Sequence, residues 1–109
     1  MTELQILKAA RERITDPANW GQGWSAYSSN GYRTSGYDPT AVKFALDGAL
    51  CNTQAFEHQI RAAKFRVRMQ LPREHYLPSE FNDDVNTTHA DVLALLDRAI
   101  EQCEAEAVS

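Results

Sequence analysis

The amino-acid sequence predicts a mainly α domain of about four helices, with a small β-hairpin between the first and the second. Three observations predict it. Apolar residues recur at helical spacing in four stretches, and Asp, Thr and Pro residues mark the boundaries between them. The stretch that lacks this period, from Asn19 to Tyr37, holds an Asn-Gly turn signal, four of the five glycines and half of the aromatics. At 109 residues, with 43% hydrophobic and 24% charged residues, the chain has the size and balance of one globular unit, expected to span residues 1–109.

The first helix is expected from Glu3 to Ile14, with Leu4, Leu7, Ala10 and Ile14 on its buried face. Thr2 and Gln5 stand at capping-box spacing, and Asp16-Pro17 ends the helix. Within the aromatic stretch, Ser29-Asn30-Gly31 predicts a hairpin with a type I′ turn at Asn30-Gly31. Asp38-Pro39 then reads as an N-cap with proline at the first helical position, opening a second helix whose stripe is Val42, Ala45, Leu46, Ala49 and Leu50. Gly48 inside it costs about 1 kcal/mol against alanine, which points to a close backbone approach.

Asn52-Thr53 can cap a third helix with the stripe Phe56, Ile60, Ala63, Val67 and Leu71, so the second and third helices form either two elements or one bent one. Pro72 and Pro78 bracket a stretch read as loop through Asn86. Thr88, with Asp91 three residues on, starts the fourth helix, which runs to about Cys103. Val92, Leu95, Leu96, Ala99, Ile100 and Cys103 make a continuous apolar face that no strand register reproduces.

Several function classes are disfavoured. No apolar run approaches the roughly 20 residues of a membrane span, and Met1-Thr2-Glu3-Leu4 enters a helical pattern directly, so the expectation is a cytoplasmic protein with no membrane partner. Cys51 and Cys103 form no CxxC pair and read as buried thiols. A net charge of −4 weighs against nucleic-acid binding by the whole surface but leaves room for a local basic patch. Phosphate-cradling glycine loops, GxSxG and HExxH are absent, and no catalytic residue, cofactor or metal is assigned.

Three groups of residues are candidates for chemistry. Trp20 and Trp24 can stack on a ligand, while their structural alternative is to cap a small core. Arg61, Lys64 and Arg68 share one face of the third helix as an anion-binding row; Arg66 points elsewhere. The acidic row Asp97, Glu101 and Glu104 on the fourth helix offers the plainer reading, two charged faces answering one another. Glu80-Phe81-Asn82-Asp83-Asp84, with His89 close behind and His58 and His75 within reach of folding, can bind a ligand or metal, against a role in turns and helix caps. A nucleophilic pair of Cys51 with His89 is disfavoured, because Cys51 lies at a helix end where the dipole raises a thiol pKa.

Trp20-Gly21-Gln22-Gly23, the segment Ala41 to Leu50 with its Gly48-Ala49-Leu50, and Phe81-Asn82-Asp83 through Thr88-His89-Ala90-Asp91-Val92 to Leu96-Asp97-Arg98-Ala99 occur in that order. Together they resemble a family of small uncharacterised bacterial and phage proteins known as a domain of unknown function. Members often carry cysteine three residues before the Gly-Ala pair and tryptophan before the Asn-Asp pair. Ala45 and Phe81 stand there in this chain, which keeps an aromatic plug and removes the thiol. The resemblance implies no activity.

The first functional expectation is therefore a non-catalytic accessory or interaction domain that binds a protein partner or itself. The second is a small-ligand or nucleic-acid binder using the Trp20–Tyr37 stretch with Arg61, Lys64 and Arg68. The third is a metal-assisted enzyme around Asp83, Asp84 and His89. Each large side chain on the fourth helix is worth about 1.5–3 kcal/mol buried. Leu96→Asp is expected to abolish cooperative thermal unfolding, and a melt within a few degrees of the parent would contradict that assignment of the core.

Overall fold

The structure, a computed structural model, describes residues 1–107. Among them are five α-helices and one three-stranded antiparallel sheet, in the order α1 (Glu3–Arg13), β1 (Ala26–Tyr27), β2 (Arg33–Thr34), β3 (Lys43–Phe44), α2 (Leu46–Cys51), α3 (Glu57–Arg68), α4 (Pro78–Asp83) and α5 (His89–Ala107). The two capping-box expectations hold. Thr2 Oγ1 accepts from the Gln5 amide at 3.2 Å while Gln5 Oε1 accepts from the Thr2 amide at 2.8 Å, and Thr88 with Asp91 repeats the arrangement at 3.2 and 3.0 Å. Helix α5 thus begins where the capping signal placed it.

α1 packs along α5 and also touches α2 and α3. Ile6, Leu7, Ala10 and Ile14 meet Val92, Leu95, Leu96 and Ala99 in one apolar cluster, joined by Leu46, Ala49 and Leu50 of α2 and by Ala63 and Val67 of α3. No helix among the described residues is long and apolar enough to cross a membrane.

Several expectations are corrected. The helix expected from Asp38-Pro39 starts only at Leu46, because residues 43 and 44 leave the helical path to pair with β1, Ala26 opposite Phe44 and Tyr27 opposite Lys43. Asp38 still caps, but it caps a turn: its Oδ1 accepts from the Thr40 amide at 2.8 Å. Val42 consequently lies exposed. The hairpin supplies two of the three strands of a sheet ordered β2-β1-β3, and its turn is not type I′, since of Asn30 and Gly31 only Gly31 (φ +85°) has a positive φ. Ser28 and Tyr32 bracket a three-residue loop, with the Ser28 amide donating to the Tyr32 carbonyl at 2.9 Å and glycine in the left-handed position.

The stretch from Pro72 to Asn86 is not all loop either. Pro78 sits at the first position of α4, where its missing N–H is tolerated, and Phe81 is buried there, giving a six-residue helix that raises the count from four to five. Phe56, expected in the core of the third helix, instead precedes α3 and is 71% exposed. The charged rows of α3 and α5 do not meet. Asp97 pairs with Arg11 at 2.6 Å and Glu104 with Lys8 at 3.9 Å, both on α1, while Lys64 of α3 pairs with Asp47 of α2. Arg66, set aside in the sequence, ties the three long helices together through Glu3 at 2.6 Å and Glu106.

Gly48 fulfils the close approach expected of it. A Cβ there would lie 1.8 Å from the Ser25 carbonyl oxygen, and that carbonyl accepts from the Ala45 amide at 3.0 Å, so sheet and helix are locked by backbone contact. Gly48→Ala is expected to lower stability by about 3 kcal/mol and the melting temperature by on the order of 10–20 °C. A urea midpoint unchanged from the parent would contradict the packing.

Candidate functional site

Asn82, near the end of α4, is fully buried and its side-chain amide is saturated. Its Oδ1 accepts from the Trp20 indole N–H at 2.7 Å and from the Leu46 amide at 3.1 Å. Its Nδ2 donates to the Gly21 carbonyl at 3.1 Å and to Asp83 Oδ1 at 3.0 Å. Leu46 opens α2, and the preceding Ala45 has no side-chain acceptor for the free amides of that helix start. Asn82 supplies the cap from another element, doing across space what an N-cap residue does locally.

The same junction clasps residues 20–23. Gln22 Nε2 donates to the backbone carbonyls of Asn82 at 2.9 Å and Asp84 at 3.1 Å. Asp83 Oδ1 accepts from the Gly23 amide at 2.9 Å, where Gly23 takes φ +91°. The Trp20-Gly21-Gln22-Gly23 and Phe81-Asn82-Asp83 segments are thus two halves of one hydrogen-bonded clasp.

His89 stands beside it, its ring centre 5.8 Å from that of Trp20. Its Nε2–H donates to the Ile14 carbonyl at 2.6 Å, so α5 begins by satisfying the end of α1. His75 Nε2 lies 2.9 Å from Asp84 Oδ2 and packs edge-on against Phe81. The Asn86 amide, then His75, hold the Asp84 carboxyl below its ordinary range.

The candidate residues therefore separate. Trp20, Asn82 and His89 belong to the clasp, and Asp83 to its rim. Asp83, Asp84 and His89 bind three different partners, and among the described residues no group of three His, Cys, Asp or Glu side chains is placed to hold a metal ion. Trp24 is 47% exposed, donates to the Thr34 carbonyl at 3.0 Å and lies under the Arg33 guanidinium at 5.1 Å. It shares with Asp83 an open cleft of about 180 Å³. Cys51 is buried and Cys103 half-buried, and burial raises both thiols; Cys51 neighbours Asp47 at 3.9 Å, while His89 is engaged at Ile14.

Arg61, Lys64 and Arg68 do converge. With Asp47, Phe65, Leu77, Pro78 and Ser79 they line a cleft of about 320 Å³ beside α3 and the start of α4, and Asp47 and Ser79 also line the Trp24 cleft. Lys64 Nζ is 3.1 Å from Asp47, the Arg68 guanidinium lies 4.1 Å from the Tyr76 ring centre, and Arg61 is 3.8 Å from Glu57. Sequence reasoning found the cations and missed their apolar neighbours Phe65, Met69, Tyr76 and Leu77, all exposed. The signal was present for two of them: Phe65 and Met69 stand four apart, off the buried Ile60–Ala63–Val67 stripe.

Asn82→Ala strands the Trp20 N–H, the Leu46 amide and the Gly21 carbonyl at once, and is expected to cost more than about 3 kcal/mol. Trp20→Phe should cost less than Asn82→Ala, and the double variant less than the sum of the two. Urea denaturation of all three checks the clasp, and strict additivity would refute it.

No curated protein and no solved structure shows significant similarity to the chain. A family model does match, over residues 1–102. The match takes in the clasp, α1 to α4 and α5 as far as Gln102, and the chain belongs to that family, described as a family of unknown function (DUF6197).

Proposed function

We propose that the protein is a non-catalytic interaction domain that binds a partner protein at the edge formed by α3 and the segment leading into α4. One observation carries this reading: the exposed Phe65 and Leu77 line one cleft with Arg61, Lys64 and Arg68, the exposed Tyr76 lies against Arg68, and the exposed Met69 follows Phe65 by one helical turn. Single exposed apolar residues are ordinary, whereas a cluster rimmed by polar groups marks an interaction surface. Aromatic, Met and Arg side chains are also the types that protein interfaces favour. The polar residues that sequence reasoning offered for chemistry support the reading from the other side, since Asn82, Asp84 and His89 hold elements of the fold to one another.

A small-ligand or nucleic-acid function has the three cations in its favour. The apolar wall of the same cleft favours a protein side chain over a bare phosphate.

A photoreactive phenylalanine analogue in place of Phe65, introduced in the producing cell, is expected to give one discrete protein adduct. The purified adduct partner should bind the parent protein and bind Leu77→Glu about tenfold more weakly, a loss typical of an interface anchor, with the melting temperature of Leu77→Glu unchanged. Solvent-quenched probe alone, or undiminished binding of Leu77→Glu, would overturn the proposal.

A further inference from the structure

We infer that the α3–α4 cleft takes an acidic amphipathic helix of the partner protein. This rests on the interaction reading and adds the chemistry of the occupant. The chain carries a net charge of −4, yet the cleft wall holds three cations and one carboxylate and stays net positive with Glu57 counted at 3.8 Å from Arg61, so its local charge is opposite in sign to that of the whole chain. Such an inversion selects and steers an anionic segment.

The cations are positioned before anything binds. Lys64 is held by Asp47 at 3.1 Å and Arg68 by the face of Tyr76 at 4.1 Å, which reduces the side-chain entropy lost on association. Phe65 and Leu77 on the same wall exclude a purely ionic occupant, because an extended phosphate chain would leave them against water.

The helical form follows from spacing. Arg61, Lys64 and Arg68 recur at i, i+3 and i+7 on α3, and Phe65 and Met69 at i and i+4. A second helix laid beside α3 repeats its carboxylates and apolar anchors at the same intervals, so both rows are met in register. A strand, whose same-face residues repeat every ~6.6 Å, drifts out of step with the cation row, which rises by ~4.5 Å and then ~6.0 Å along α3.

The test is selection from a displayed library of random peptides about 15 residues long, enough for a marginal helix, against the purified full chain. Enriched peptides are expected to carry Leu, Ile or Phe at i and i+3 or i+4 with Asp or Glu between them. They should bind Arg61→Glu/Arg68→Glu about tenfold more weakly than the parent and lose affinity as salt is raised. Enrichment of basic or unpatterned peptides, no enrichment, or undiminished binding by the double variant would overturn the inference. So would random-sequence single-stranded DNA that binds the parent more tightly than any enriched peptide and fails on the double variant. A protein adduct at Phe65 alongside any of these failures leaves the interaction reading standing, and its absence removes both.

Discussion

A buried primary amide must place two donors and an acceptor with two lone pairs, and Asn82 places three of these four bonds on groups distant in the chain and the fourth on the neighbouring Asp83. Trp20 and Gly21 lie before the sheet, Leu46 opens α2, and Asn82 itself closes α4. The fold depends on this convergence because α2 is only six residues long and starts without a local cap. So short a helix is not stable by propensity alone and persists through the partners that hold it. The Asn82 side chain holds its start, Gly48 holds it against β1, and Leu46, Ala49 and Leu50 hold its inner face in the core.

Exchange of caps between elements recurs through the molecule. His89, the first residue of α5, donates to the carbonyl that ends α1. Arg13, the last residue of α1, donates to the carbonyl of Asn52 just past α2. The Asn52 side chain in turn donates to the carbonyls of Gly36 and Asp38 at 2.8 Å each, fixing the turn that leads into β3. Helix ends carry unpaired backbone groups by geometry, and at the end of α1 and at both ends of α2 side chains from other elements satisfy some of them, so α1, α2 and α5 are oriented by polar contacts at their ends as well as by apolar packing between them.

These contacts define what is left over for binding. The clasp uses the polar side chains that looked most like a reactive site, with Trp20 donating to Asn82 and His89 packed against Trp20 with its ring tilted 47°. α3, by contrast, presents Ile60, Ala63 and Val67 inward and leaves Phe65 and Met69 outward, next to Arg61, Lys64 and Arg68. The proposed docking edge is thus the outward side of a helix whose inward, apolar side is committed to the core, and only the outward side mixes apolar and cationic groups.

Local chemistry was enough to read α1 and α5 from the sequence. Thr2 with Gln5 and Thr88 with Asp91 are capping pairs three residues apart, and a helical apolar period needs no distant information. Gly48 and the row Arg61–Lys64–Arg68 were legible for the same reason. The start of α2, the third strand and α4 were decided by tertiary structure. Asp38-Pro39 and the spacing from Val42 to Leu46 satisfy the local rules for a helix, but pairing of residues 43 and 44 with β1 outweighs them. The roles of Asn82 and His89 were equally invisible, since an Asn-Asp pair reads as a turn from its neighbours alone. The cap Asn82 makes lies 36 residues away and its indole partner 62 away, and His89 finds its carbonyl 75 residues back. A hydrogen bond of that separation leaves no periodic trace in the sequence, and only the folded chain brings its two ends together.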